Sequence, residues 1–330
     1  MGNQVSLSNY LATTQYVNEN FSTFAKDRIA EDTGIQEIFG VKNVDFQTEV
    51  VQKYAGVKGI QAIPEGSDLP SISGQQGDQI TFTQAQYGVK IPVTKPMRIF
   101  DRYDEVQQLV KTATDDAFDK IDTSFSDVLL NGWSTSYINV YNQTVASVGP
   151  DGKALFASNH SSAANASYTF NNIIADSAGT TNPALSRDAV IKTRSKALKY
   201  RDEAGINRPV KLDTIVVGPD LEDLARRIVE SEGIVGTANR ETNVYLKGMN
   251  VVVWSRLGAT GQGTDTSAYW FMIDSKKIKE GLRAYFKQKP MIAPPAVYGP
   301  NMIWNYELDY FYSYGWIHPI YIYGSKGDNS

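Results

Sequence analysis

Residues 64–78 read PEGSDLPSISGQQGD, a stretch too rich in Gly, Pro, Ser and acid to build a core of its own. Compact domains rarely carry structureless loops of this length unless the loop has a task. Strand-like patterns bracket it. Phe46, Val50 and Tyr54 fall on one side before it, and Ile80, Phe82, Tyr87, Val89, Ile91 and Val93 alternate after it. The pattern predicts a hairpin projecting from the body over 46–98. Pro92 and Pro96 remove backbone donors, so the return strand is expected at a sheet edge or a bend. A projecting arm has little to pack on within its own chain, which points to assembly before catalysis.

The strongest helical signal follows, from Asp101 to Asn131. Val106, Val110, Ala113, Ala117, Ile121 and Val128 share one face at the helical period. Asp101, Asp104, Asp115, Asp119 and Asp122 take the other, and Asn131-Gly132 supplies a stop. A helix of this length spans roughly 45 Å and suits a spine. Before the hairpin, 1–45 reads as an arm with a short helix at 18–29. After the spine, short apolar strands at 212–217, 251–254 and 269–273 alternate with a basic helix expected from Pro183 to Tyr200 and a helix opened by Gly218-Pro219-Asp220. That mixture predicts a compact α/β unit over 135–275. Trp304, Tyr306, Leu308, Tyr310, Tyr312, Tyr314 and Trp316 then alternate strictly, so 276–330 returns to β-structure and is expected to pair with the early strands.

Composition excludes several kinds of chemistry. The chain has no cysteine, which removes disulfides, thiolate metal sites and thiol nucleophiles. A formal net charge of −4 gives no global attraction to nucleic acid. No run of 18 apolar residues crosses a membrane, and the opening MGNQVSLSNYLATTQ does not read as a signal peptide. Gly2 and Ser6 fit only the minimal myristoylation pattern.

No catalytic, cofactor-binding or metal constellation emerges. The acidic helix face lacks the histidines and supporting partners of carboxylate metal sites, so a solvated face, or one meeting basic groups, is the better reading. Lys53, Lys58, Lys90, Arg98 and the basic helix at 187–199 are the candidate partners. His160 follows Asp151 closely enough to form a pair, but without a nucleophile elbow or ligand spacing it reads as part of a polar turn. His318, beside Pro319, reads as structural. GPDGK at 149–153 lacks the glycine and the hydroxyl residue of a phosphate loop. The aromatic strand reads as core or interface packing ahead of a sugar-binding platform.

The order of elements resembles a tailed-phage major capsid protein of the Hong Kong 97 fold. Ile63-Pro64-Glu65-Gly66 with Pro70 resembles the extended-loop region, and 87–101 with the following helix resembles the return strand and spine. DGKALFASNH at 151–160 and LDTIVVGPDLEDLARRIVES at 212–231 are similar to a loop and to an axial-domain strand and helix of the family. The resemblance implies an α+β fold with an N-terminal arm (1–45), an extended hairpin loop (46–98), a peripheral domain with the spine helix (99–134 and 276–330) and an axial α/β domain (135–275). It implies a structural protein, with no enzyme activity and no cofactor, that self-assembles into hexamers and pentamers of an icosahedral shell around double-stranded DNA, without sequence-specific binding. Portal and scaffolding or decoration proteins are the implied partners, with the virion as location and the host cytoplasm as the place of assembly. The short arm before the first strand leaves no room for a long scaffolding segment, so a separate scaffolding protein, or little scaffolding, is expected. The expected subunit-interface residues are Pro64, Glu65, Gly66, Asp68, Leu69, Pro70, Lys90, Arg98, Asp115, Asp119 and Asp122. An encapsulin-like compartment of the same fold and a carbohydrate-binding β-rich protein are the alternatives.

Overall fold

A computed structural model of the chain describes residues 7–31, 38–54, 60, 62–69, 76–100, 103–139, 142–230, 246–258, 265–294 and 303–328. Helix α1, Leu7–Glu31, is longer than the short helix expected at 18–29. The reason is packing: Val17 is fully buried, with Tyr16, Phe21 and Phe24 against the same core, so tertiary contact extends a segment whose own pattern is weak.

Strands β1 (Gly40–Asn43), β2 (Thr48–Tyr54), β3 (Gln76–Thr83) and β4 (Ala85–Val93) follow. Next come a short helix α2 (Lys95–Ile99), capped by Thr94, and the long helix α3 (Tyr103–Leu130). β2 and β3 form an isolated antiparallel hairpin, the arm that the polar loop announces. β4 leaves the hairpin and pairs with the C-terminal strand β13 (Trp304–Trp316). β13 pairs in turn with β12 (Leu282–Ala293), and β12 with β1, in the order β1-β12-β13-β4. Proline-bearing β4 therefore occupies the sheet edge, where a missing donor is tolerated.

Helix α3 lies across this sheet. Its face carries Val106, Val110, Ala113, Ala117, Phe125, Val128 and Leu129, all buried, against the inward residues Trp304, Tyr306, Leu308, Tyr310 and Tyr312 of β13. The aromatic alternation of β13 is thus the core of the sheet-and-helix layer. Phe39 stacks on Phe125 at 4.5 Å, and Phe286 stacks on Tyr312 at 5.5 Å. Such pairs add about 0.5–1.5 kcal/mol beyond the area they bury.

Two small ladders, β5 (Ser136–Ile138) with β6 (Thr144–Ala146) and β7 (His160–Ser162) with β8 (Asn165–Phe170), lead into the second layer. Helix α4 starts at Arg187, not at Pro183, because the Ser186 hydroxyl accepts from the Ala189 amide and sets the cap. It runs to Leu198. Strand β9 (Thr214–Val217), helix α5 (Glu222–Glu230), strands β10 (Asn250–Val253) and β11 (Trp270–Ile273), and the one-turn helix α6 (Ile278–Gly281) complete the chain up to β12. The second sheet has the order β10-β9-β11-β14, where β14 is Ile322–Ser325. β9 and β11 are buried at every position, as expected of central strands covered on both faces. A second core, with Val190, Ile215, Val217, Trp270, Met272 and Tyr323, fills this unit. The chain therefore returns to the α/β unit for its last strand.

Candidate functional site

The hairpin is anchored at its root and bare at its tip. On one face Phe82 is buried against Tyr285 and Ile317, with Val51 and Ile80 beside it. Lys53 Nζ meets Glu203 at 2.5 Å with both side chains largely buried, and Asp78 accepts from the Ala163 amide at 3.0 Å. On the other face Phe46, Val50 and Tyr54 remain exposed at 72%, 57% and 68%. Pro64, Glu65, Gly66, Asp68 and Leu69 sit at the exposed tip. There the Ser67 amide donates to the Pro64 carbonyl at 3.1 Å, and Gly66, at φ 83°, supplies the left-handed position that this turn needs. Pro70 lies outside the described residues.

The acidic face of α3 meets one cation that sequence reasoning missed. Arg256, in the turn after β10, reaches Asp119 Oδ1 at 3.0 Å, donates through Nε to Asp122, and reaches Thr123 Oγ1 at 3.1 Å. A guanidinium fork suits two carboxylates one helical turn apart. Lone Arg256 follows an apolar strand, and nothing in the sequence marks it. Within the chain, two of the partners expected for this face are engaged elsewhere: Lys53 with Glu203, and Lys90, on β4, with Glu307 at 3.4 Å. Lys58 lies outside the described residues. Asp115 lies half-buried on α3, and Arg98 lies in α2.

The two histidines are both structural. His160 is 2% exposed; Nδ1 lies 2.6 Å from Asp151 Oδ2, and Nε2 lies 3.2 Å from the Leu155 carbonyl. Burial pushes the Asp151 carboxyl up, yet the hydrogen bond and charge of His160 and backbone amides hold it below its ordinary value. Both imidazole nitrogens are committed, so the pair ties the 149–156 turn to β7. Burial, with Lys53 and Arg283 nearby, lowers His318 to about 4 and keeps it neutral. Gly149 is fixed by packing: a Cβ there would lie 1.9 Å from the Trp316 ring.

Among the described residues no group of three or more His, Asp or Glu is placed to hold a metal, and no helix is long and apolar enough to cross a membrane. The aromatic face of β13 lies under α3, buried in the core and not offered to solvent as a platform.

The described residues thus form an arm rooted on the body, a helix laid over a mixed four-stranded sheet, and an α/β layer. The family model described as phage capsid protein matches residues 77–323, and the chain belongs to that family. It is a structural protein of the Hong Kong 97-type α+β class, as the order of elements implies. Among solved structures, it is similar to the capsid of an empty GTA particle, at 12% identity and a TM-score of 0.51, with 88% of each chain covered. It is also similar to the mature capsid of bacteriophage PhiM1 (12% identity, TM-score 0.47, 89% of this chain and 86% of that one). The capsid of Myoviridae phage XM1 gives 9% identity and a TM-score of 0.44, over 89% of this chain and 90% of that one. No curated protein matches in sequence.

Proposed function

We propose that this phage capsid protein is the major head subunit, packing as hexamers and pentamers into an icosahedral shell that encloses double-stranded DNA without reading its sequence. The observation that carries the reading is the hairpin: its root is built into the body, while its tip and outer face are bare. Ordering a loop costs roughly 1–2 kcal/mol per residue in backbone entropy, which burial on a neighbouring subunit offsets. In this reading α3 with the β1-β12-β13-β4 sheet forms the peripheral domain, and the β10-β9-β11-β14 unit forms the axial domain. The loop residues Pro64–Pro70 touch a neighbour, and Lys90, Arg98 and Asp115 lie toward subunit contacts. Asp119 and Asp122 act chiefly within the chain through Arg256. Portal and scaffolding or decoration proteins join in the virion, after assembly in the host cytoplasm. The family match favours a phage shell over an encapsulin-like compartment. Electron microscopy of the purified or co-expressed chain tests the proposal: closed particles are expected, and a strictly monomeric protein under all assembly conditions refutes it.

A further inference from the structure

The α/β unit carries an open groove of about 480 Å³ between β8 and the turn that follows α4. Its volume falls within the range of about 300–1,000 Å³ typical of small-ligand sites. Three cations line it: Lys196 and Lys199 at the C-terminal end of α4, and Arg201 just beyond. The two carboxylates on its wall are buried and already neutralised within the chain: Asp202 by Arg208 Nε at 2.6 Å and by the amides of Ala204 and Ile206, and Glu203 by Lys53. Lys199 and Arg201 are exposed, and no carboxylate among the described residues pairs with them or with Lys196. On a chain with net charge −4, this is a local positive pocket that can steer an anion.

Lys196 is the cation that most needs a counter-charge. Its ammonium is partly buried, donates to the Ile173 carbonyl at 3.2 Å and lies over the Tyr323 ring, 5.7 Å from the centroid. Burial, with no carboxylate to oppose it, lowers the ammonium from 10.5 to about 8. A cation that complements a helix C-terminus can do so from water, as exposed Lys199 does, so the helix dipole does not account for burying Lys196 without an anion. The Tyr168 and Tyr200 hydroxyls meet at 2.9 Å, and their contact uses only one of the two phenol protons, which leaves the other to donate. Ammonium, guanidinium and phenol groups are the donors that hold phosphate oxygens. We propose that this groove binds a phosphate group, with Lys199 and Arg201 at its open side and Lys196 and the tyrosine pair on its floor. The site lies within a single chain and stands apart from the shell proposal. Free phosphate and the phosphodiester backbone of DNA offer the same oxygens, and the two are separable by experiment.

Acetic anhydride labelling of the purified full-length chain at about pH 8, read at Lys196 by mass spectrometry, tests the site. A phosphate beside Lys196 favours its ammonium form, and raising the pKa by about one unit cuts the reactive neutral fraction about fivefold at that pH. Inorganic pyrophosphate or a short DNA duplex should therefore slow acetylation of Lys196 by about fivefold, while sodium chloride at matched ionic strength leaves the rate unchanged. Protection by pyrophosphate and not by the duplex assigns a free phosphate ligand. Protection by the duplex, weakening as salt rises, assigns the DNA backbone. Lys199→Ala with Arg201→Ala removes two exposed side chains and should keep the thermal midpoint while abolishing the protection. Failure of both probes to protect Lys196 overturns the proposal, as does equal protection by chloride or protection that survives in the double variant. Chains that show the protection but form no particles refute the shell reading and leave the groove standing.

Discussion

Replacing Asp127 with Asn should stabilise the subunit at neutral pH and leave it unchanged in acid. Asp127 lies on the buried side of α3, 3% exposed, with Lys120 as the nearby cation. Burial raises its carboxyl from 3.8 to about 6, against the opposing pull of Lys120. The folded-state value lies above the unfolded one, so the native chain keeps a proton that the unfolded chain has already lost. The resulting stabilisation is complete below about pH 4 and disappears as pH rises through about 6. Two pKa units correspond to about 3 kcal/mol, which solvent screening trims to about 2. A neutral isostere escapes this loss. Urea midpoints of the unassembled subunit at pH 4 and pH 8 read it directly: wild type should be weaker at pH 8 by about this amount once other carboxylates are allowed for by the difference between the two proteins. The variant should gain about 2 kcal/mol at pH 8 and almost nothing at pH 4. Loss of stability in Asp127→Asn at pH 8 would refute the reasoning, since it would mean that the ionised carboxylate is held by compensating bonds.

Gly149→Ala places a methyl group into the Trp316 ring and should cost about 1–3 kcal/mol by overpacking, seen as a lower thermal midpoint; an unchanged midpoint would mean that the ring moves freely. Tyr312→Phe removes a buried hydroxyl that lies 2.7 Å from Ser124 Oγ and should cost about 1–2 kcal/mol, with Ser124→Ala in the same background adding little. Arg256→Ala strips the fork from Asp119 and Asp122 and should cost about 1–2 kcal/mol, given that all three side chains are partly exposed. High salt should shrink the Arg256→Ala difference, and a salt-independent loss would point to packing of the arginine stem instead.

Elements with strong local signals are legible in the sequence alone. The 28-residue helix α3, the hairpin, the edge position of Pro92 and the buried face of β13 all follow from period, proline chemistry and alternation. What escapes a reading of the sequence is long-range. Helix α1 has a weak pattern and owes its length to packing against α3 and β13, where Thr14 Oγ1 lies 3.3 Å from the Tyr306 hydroxyl. β14 is separated from its partner β11 by two long strands that belong to the other sheet, and sequence order alone gives no warning of that crossing. Arg256 and the Lys53–Glu203 pair bring together residues more than a hundred positions apart, so no spacing rule finds them. The acidic face of α3 reads as an outward surface because its cation arrives from a distant turn.

The hairpin separates folding from assembly along its own length. A two-stranded ribbon is at best marginally stable alone, so its root must borrow stability from the body. It does so through Phe82, Tyr285 and Ile317, and through Lys53, whose charge is buried against Glu203. Glu203→Gln leaves that ammonium without its counter-charge and should loosen the root, lowering subunit stability and particle yield together. Glu65→Gln with Asp68→Asn touches only exposed groups at the tip, where a surface substitution changes stability by about 0.5 kcal/mol or less. It should therefore lower particle yield at unchanged subunit stability. If both sets of changes moved stability and yield in proportion, the tip would be part of the folded body, and the separation drawn from its exposure would be wrong.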